Sequence, residues 1–166
     1  MSNVNVEWSG TVPDFAVHDA TNIKGFFGDY RYLSNFYPCL NGVWWGGTKF
    51  PAVEHAYQAA KFDKIYHKEF VDITASESKK LAKMMVKEDP SVFVRERWDL
   101  VRYHIMADLV FQKFTWNPHF QSNLVSTGNK FLEETNSWHD YYWGFCNGQG
   151  QNKLGIILMK VRDFWR

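Results

Sequence analysis

Apolar residues recur at the spacing of an α-helix through the second half of the chain. The longest such run covers residues 95–114, and another occupies the C-terminal end. These patterns predict two amphipathic helices, the first of which ends before Asn117 and Pro118. The apolar side of the first helix is predicted to contain Trp98, Val101, Ile105, Leu109 and Gln112. The stripe of the last helix is Leu154, Ile157, Leu158, Val161 and Trp165.

A further helix is predicted from its start and stop signals. Thr74 and Glu77 have the spacing of a reciprocal capping box, and the helix that they open continues to Val86. Asp89 and Pro90 end it, because proline disfavours helical conformation in the preceding residue. The lysines of this helix are expected to form a solvated face.

A short helix is predicted after residue 117. Asn117 is a suitable cap, Pro118 suits the first helical position, and the helix passes through Phe120 and Leu124. Gly128 closes it, since glycine readily adopts the left-handed conformation that ends helices.

Short strands are predicted in the first fifty residues. Residues 4–8 alternate apolar and polar side chains, residues 10–22 form a loop, and Phe26 and Phe27 begin a second strand. Asn41 followed by Gly42 is a hairpin-turn signal, which would pair residues 37–40 with Val43–Trp45.

The predicted elements give an α+β fold class. At 166 residues the chain fits one compact, mostly helical domain with a small sheet. The domain covers residues 1–166, and residues 1–24 form an N-terminal extension or an extra strand.

Residues 50–62 combine high helix propensity with groups that can perform acid–base chemistry. The segment is rich in alanine and contains no glycine. At about 3.6 residues per turn, Glu54 and Lys61 fall on one stripe, about 10 Å apart along the axis. Tyr57 or Gln58 lies between them. One helical face would therefore offer a carboxylate, an amide or phenol, and an ammonium to a single small ligand.

The other residues of this segment serve packing. Pro51 is expected in the first turn, and Val53, Ala56, Ala60 and Phe62 form the packing surface. The alternative is that Glu54 and Lys61 are only a solvated surface pair, which is the commonest role of an acid and a lysine on one helical face.

Three loops carry the other candidate groups. Residues 28–38 mix aromatic side chains with Arg31, Ser34 and Asn35, which suits the lining of a polar pocket, and the arginine can bind a phosphate with two hydrogen bonds. Residues 138–144 surround a single acid with aromatic rings and are also predicted to form a pocket loop. Residues 144–155 are glycine-rich and open onto the last helix, whose first N–H groups can bind an anion. The alternative for this third loop is a simple turn.

Composition narrows the class of partner. Nineteen basic residues against 18 acidic ones leave a net charge of +1, so no broad cationic field is available to hold a nucleic-acid backbone. Aromatic residues make up 18% of the chain and include 8 tryptophans, which favours a pocket that stacks a planar ligand. The alternative is a tryptophan-rich core, which accounts for most of these rings.

Cysteine usage and the N-terminal segment indicate a compartment. Cys39 and Cys146 have neither metal-ligand spacing nor a disulfide framework, which agrees with reducing conditions. No signal peptide or membrane-spanning run is present, so we expect a soluble, intracellular, cytoplasmic protein. We expect no metal and no cofactor.

Five blocks of the sequence, taken in order, resemble the NADAR superfamily from about residue 26 to the C-terminus. They are Leu33, Ser34, Asn35 and Phe36; residues 54–62; Trp98; residues 140–144; and residues 150–162. The resemblance implies a mostly helical α+β domain that handles N-glycosides of phosphorylated ribose. Known members hydrolyse early intermediates of the riboflavin pathway or remove ADP-ribose from guanine bases.

The resemblance also implies the site residues. The acid of the family matches Glu54, its lysine matches Lys61, and its late acid matches Asp140, which together form the predicted catalytic set. The predicted substrate-binding set, part of it taken from the loops described above, is Arg31, Ser34, Asn35, Tyr57, Gln58, Trp98, Trp143, Gly144, Asn152 and Gly155.

Roles for these residues follow from the chemistry of a ribosyl N-glycoside. Glu54 would orient water or move protons, and Asp140 would bind the ribose hydroxyls or assist proton transfer. Lys61 would either neutralise charge or attack the opened sugar to form an imine. The indoles of Trp98 and Trp143 would stack on the base. Phosphate would be held by Arg31, Asn152 and the helix mouth at residues 150–155.

Two local departures from the family pattern bear on the substrate. The turn at residues 43–47 is longer and more aromatic than is typical, and Cys146 and Asn147 lie within the glycine loop. The expected partner is a small ribose-phosphate N-glycoside or an ADP-ribosylated nucleic acid, with no membrane. Two alternatives are a catalytically silent module that binds ADP-ribose and an interaction protein that exposes aromatic residues.

Overall fold

The computed structural model describes residues 11–166, so the strand predicted at residues 4–8 lies outside the described part. The architecture is α+β, as predicted: helices predominate, and the strands are short. The α-helices are α1 (Val53–Ala59), α2 (Ala75–Glu88), α3 (Arg95–Trp116), α4 (Pro118–Ser126) and α5 (Lys153–Phe164). Short 3-10 helices cover Gly28–Leu33, Lys64–Phe70 and Pro90–Val92. The strands are β1 (Val17–His18), β2 (Asn22–Lys24), β3 (Val43–Trp45), β4 (Thr48–Phe50), β5 (Phe131–Glu133), β6 (Phe145–Cys146) and β7 (Gln149–Gly150).

A three-stranded sheet joins residues 17–24 to the strand β5, which precedes the last loop and α5. β2 pairs antiparallel with β1 and parallel with β5, and Ile23 lies opposite Leu132, both fully buried. The prediction of a strand at Phe26 and Phe27 was wrong, as was an uninterrupted loop over residues 10–22. The strand comes earlier because Gly25, at a φ of +76°, turns the chain and donates its N–H to the carbonyl of Glu133.

The predicted partner of Val43–Trp45 was also wrong. β3 pairs with β4, with Val43 opposite Phe50, and the chain reverses at Gly46 and Gly47, whose φ values are +57° and +80°. A turn does form before Gly42, whose N–H donates to the carbonyl of Cys39 at 2.9 Å. That turn joins no strand pair, because the N–H of Cys39 donates to Pro51 instead. The true hairpin leads directly into α1.

The helix α1 is shorter than the predicted segment and is buried over its whole length. It begins at Val53, with Ala52 as the N-cap, so Pro51 precedes the helix and does not occupy its first turn. Ala56 and Ala59 have no exposed surface, and α1 packs against both α2 and α3. These small residues let the neighbouring helices approach closely, which places the polar side chains of α1 inside the molecule.

The boundaries of α2 and α3 follow the sequence signals closely. Thr74 and Glu77 form the predicted capping box, and α2 ends at Glu88 with Asp89 as its C-cap. The apolar side of α3 is rotated from the predicted one, because Lys113 and Phe114 are buried as well. Val101 therefore lies outside the buried face and is 39% exposed.

The last two helices close the core. Pro118 occupies the first turn of α4 and Gly128 follows its end with a φ of +61°, as predicted. Asn117 is the N-cap but makes no capping hydrogen bond, since its side chain accepts from Asn41 and donates to Lys113. The predicted stripe of α5 is buried from Leu154 to Val161. Within residues 11–166, no helix is both long and apolar enough to span a membrane.

Replacing Gly155 by alanine is expected to destabilise the fold by about 3 kcal/mol. An added Cβ would overlap the carbonyl oxygen of Leu132 and the side-chain amide of Asn152, and backbone in β5 has little freedom to move. Urea unfolding measures the loss. Gly128→Ala is the control: its φ of +61° costs about 1 kcal/mol, but nothing lies within 4 Å of the added atom. Equal losses for the two variants would contradict the steric argument.

Candidate active site

A cleft of about 690 Å³ opens between α1, α2, α3 and the loops at residues 26–37 and 134–143. It brings together ten of the thirteen site residues predicted from the sequence. These are Arg31, Ser34, Asn35, Glu54, Tyr57, Gln58, Lys61, Trp98, Asp140 and Trp143. Gly144, Asn152 and Gly155 do not line it.

Glu54 and Gln58 of α1 and Lys61 of the turn just after it form a hydrogen-bonded series along one wall. The amide nitrogen of Gln58 donates to Glu54 Oε1 at 2.7 Å, and Lys61 Nζ donates to Gln58 Oε1 at 2.6 Å. Both Tyr57 and Gln58 lie between the acid and the lysine. Glu54 is only 6% exposed, so the alternative of a solvated surface pair was wrong.

Burial shifts the pKa values of Glu54 and Lys61 in opposite directions, each toward the neutral form of the side chain. It raises the pKa of Glu54, and the hydrogen bond from Gln58 and the nearby lysines oppose that shift in part. Burial also lowers the pKa of Lys61 to about 8, although the Glu54 carboxylate opposes it. The site therefore contains a carboxyl group whose charged form is disfavoured by burial and an amine that changes protonation near pH 8.

Aromatic rings form the wall next to the lysine. The Tyr57 ring lies 5.0 Å from that of Trp98 and 5.5 Å from that of Trp143, between centroids. Lys61 Nζ lies 5.6 Å from the centroid of Tyr57 and 5.7 Å from that of Trp98. These rings exclude water from the amine and offer flat surfaces to a planar ligand.

Asp140 enters the cleft from the loop that follows β5. Its Oδ1 accepts the N–H groups of Tyr142 and Trp143 at 3.2 and 2.9 Å, which fixes the carboxylate and the neighbouring indole together. The charge of Asp140 raises the pKa of Glu54, which places the two carboxyl groups in one electrostatic environment. Glu54 of α1 and Lys61 just after it thus meet the late aspartate in a single cleft.

Ser34 and Asn35 are held in place by a buried lysine and by α1. Lys113 has no exposed surface, and its Nζ donates to the carbonyl of Ser34 at 2.7 Å. The carbonyl of Asn35 accepts the N–H of Glu54 at 3.0 Å, which ties this loop to the first turn of α1. The side-chain oxygen of Asn35 is buried without a hydrogen-bond partner within residues 11–166.

The mouth of α5 differs from the predicted anion site. The N–H groups of Asn152, Lys153 and Leu154 donate to the carbonyls of residues 144, 142 and 143, so they are already satisfied. The Asn152 side chain accepts from Glu134 N and donates to the carbonyl of Leu132. The prediction that this helix mouth holds phosphate was therefore wrong, because the preceding loop occupies it.

Several cleft residues escaped the sequence analysis. Ser76 and Lys79 of α2, together with Arg95 and Arg102 of α3, line the cleft. Lys79 is half-buried, so the expectation that all lysines of α2 form a solvated face was wrong. A helical wheel shows which residues share a side but not which neighbour that side meets, and the signal was only that Ser76 and Lys79 are three residues apart.

Glu134 is the third carboxyl group in the cleft and was also missed. It follows Glu133 at the end of β5, and consecutive strand residues point to opposite faces of a sheet. Two adjacent acids at the end of a strand therefore place one of them on each side. That pattern was the available signal.

Comparison with known proteins gives consistent matches. The model of the NADAR domain family matches residues 24–166. An N-glycosidase of Nostoc punctiforme is 34% identical over 140 residues, covering 81% of this chain and 85% of that protein. The N-glycosidase YbiA of Escherichia coli is 31% identical over 138 residues, covering 81% of each chain.

Two further matches concern a longer protein and a solved structure. A riboflavin biosynthesis protein of Vibrio vulnificus is 35% identical over 136 residues, which are 81% of this chain but only 35% of that protein. The NMR structure of Escherichia coli YbiA superposes with a TM-score of 0.70 at 28% identity, covering 91% of this chain and 88% of that one. Since the family model spans most of the chain and the fold agrees with that of YbiA, the chain belongs to the NADAR family.

Proposed function

We propose that this protein is an N-glycoside hydrolase that cleaves the bond between a base or amine and a phosphorylated ribose. The observation that carries the proposal is the meeting of Glu54, Lys61 and Asp140 in one aromatic-walled cleft. The names of its relatives, N-glycosidase and riboflavin biosynthesis protein, support this class of substrate.

The groups in the cleft suit the charges of the reaction. Breaking a ribosyl C–N bond builds positive charge on the sugar and negative charge on the leaving nitrogen. Glu54, oriented by Gln58, activates the attacking water or takes its proton. Asp140, fixed by two backbone N–H groups, holds the ribose hydroxyls next to Trp143.

Phosphate binding falls to the cations of the cleft. Lys79 and Ser76 lie one turn apart on α2, and they supply an ammonium and a hydroxyl beside Arg31 and Arg95. Arg102 is already engaged by Asp99 at 3.3 Å and by the ring of Tyr142 at 3.7 Å. We therefore assign the phosphate to the α2 side of the cleft, with Lys79 as its main charge.

Two substrate classes fit this arrangement, namely pyrimidine ribosyl-phosphate intermediates of the riboflavin pathway and ADP-ribosylated guanine nucleotides. The purified protein is incubated with one representative of each, and released base is followed by mass spectrometry. We expect release from at least one of them, at a rate far above that in protein-free buffer.

The same samples separate this proposal from its main rival. A catalytically silent module would bind the ribose phosphate, detectable by calorimetry with ribose 5-phosphate or ADP-ribose, and release no base. Binding without release from either substrate would favour that module, and an absence of binding as well would favour an interaction protein.

A further inference from the structure

Glu134 is held in the cleft more rigidly than its place in a loop suggests. Its N–H donates to Asn152 Oδ1 at 3.0 Å, and its carbonyl accepts the N–H of Phe145 at 2.9 Å. Gly144 packs directly beside it, since an added Cβ there would overlap the Glu134 carbonyl and lie 3.1 Å from its Cγ. Two residues that sequence analysis assigned to the substrate thus support this carboxyl group.

The two glutamates of the cleft differ in their hydrogen-bond partners. Glu54 accepts a hydrogen bond from Gln58, which is itself linked to Lys61, so donors offset part of the rise in its pKa that burial causes. Glu134 Oε2 is buried and has no hydrogen-bond partner among the described residues. A buried carboxyl oxygen without a donor favours the protonated acid. Paired carboxyl groups in such contrasting environments divide acid and base roles between them.

We propose that Glu134 is the general acid of this site and donates its proton to the leaving nitrogen of the substrate. The inference rests on the N-glycoside hydrolysis proposed above and adds a catalytic residue to it. An amine or a heterocyclic base linked through an amine is a poor leaving group as an anion, so its departure needs a proton.

The step balances without any further reactant. The bond between the anomeric carbon and nitrogen breaks, its electron pair stays on nitrogen, and that nitrogen takes the proton of Glu134. The carbon receives the oxygen of water or, on the imine route, the nitrogen of Lys61, and the proton lost by that nucleophile goes to Glu54. Glu54 then releases that proton to solvent and solvent returns one to Glu134. On the imine route a water molecule next hydrolyses the bond between the sugar and Lys61, so on either route the net change is the addition of one water across the original bond.

The charges around Glu134 agree with an acid that stays protonated at neutral pH. Its pKa is raised to about 8, first by burial and then by Asp140 from the loop and Glu54 from α1. Lys79 from α2 and Lys113 from α3 lower it. Because the three carboxyl groups interact, ionisation of one opposes ionisation of the others.

The test compares two leaving groups in Glu134→Gln. One substrate is whichever amine-linked ribosyl phosphate the wild type cleaves, and the other is nicotinamide mononucleotide, whose pyridinium departs neutral without a proton. We expect kcat to fall about 100-fold for the first and no more than about threefold for the second. The control is Glu133→Gln. Glu133 precedes Glu134 in the chain but does not line the cleft; its carboxylate accepts a hydrogen bond from Thr135 and lies 3.9 Å from Lys24 Nζ. That control should retain wild-type kcat on both substrates.

A pH profile gives an independent readout, which decides the question if the wild type cleaves only the amine-linked substrate. The wild-type kcat/KM should fall above a pH of about 8, as Glu134 loses its proton, and this alkaline fall should vanish in Glu134→Gln. Equal losses on both substrates, no loss on either, or an unchanged alkaline limb would overturn the assignment. A wild type that releases no base contradicts the proposed hydrolysis itself, which is a different result.

Discussion

Glu54→Gln is expected to lower kcat by about 10³-fold while the Kd for ribose 5-phosphate changes by no more than about threefold. The substitution keeps the shape of the side chain, and its amide oxygen can still accept the hydrogen bond that Gln58 donates. It removes the negative charge and the ability to take a proton from the nucleophile. Stopped reactions analysed by mass spectrometry give kcat, and calorimetry gives the affinity.

Glu69→Gln is the matched control for this variant. Glu69 is exposed on the 3-10 helix Lys64–Phe70 and does not line the cleft, so the same chemical change there should leave kcat at the wild-type value. If Glu54→Gln retained more than about a tenth of the wild-type kcat, its carboxylate would not be the base. A simultaneous loss of ribose 5-phosphate affinity would indicate a binding role instead.

The sequence predicted the wall of the cleft that a single helix forms. The spacing of Glu54, Gln58 and Lys61 is local, so a helical pattern predicts that they share one side; Lys61 lies in the turn after α1, and hydrogen bonds still join all three. The capping box at Thr74 and the proline at the start of α4 are local in the same sense. Local signals of this kind can be read without knowledge of the neighbours.

The other walls depend on contacts between distant parts of the chain. The parallel pairing of β2 with β5 brings residues 22–24 beside residues 131–133, and no periodicity near Glu134 reports that partner. The mouth of α5 carries the glycine pattern of an anion site, yet the carbonyls of residues 142–144 fill it. Sequence therefore indicated a phosphate at α5, whereas the cations that line the cleft include Lys79 on α2, to which we assign the phosphate.

Lys61 was left with two roles that its surroundings now help to distinguish. An electrostatic role needs a permanent ammonium, whereas attack on the sugar needs the neutral amine. With a pKa of about 8, roughly a tenth of Lys61 is neutral at pH 7 and about half at pH 8. The hydrogen bond to Gln58 can be kept by the neutral amine, and it orients the nitrogen. These features favour the imine.

Borohydride added during turnover is therefore expected to leave a reduced sugar-phosphate adduct on Lys61. Because the lowered pKa increases the neutral fraction of Lys61, the trapped yield should rise as the pH increases toward about 8, and it should fall at higher pH as Glu134 loses the proton that the leaving nitrogen needs. Lys61→Arg retains a positive charge but provides no nucleophilic amine, so kcat should fall by about 10³-fold or more. Peptide mass spectrometry locates the adduct, and Lys83→Arg, at an exposed position of α2, should behave as wild type. No adduct on Lys61, together with an arginine variant that keeps a tenth or more of wild-type kcat, would assign this lysine a purely electrostatic role.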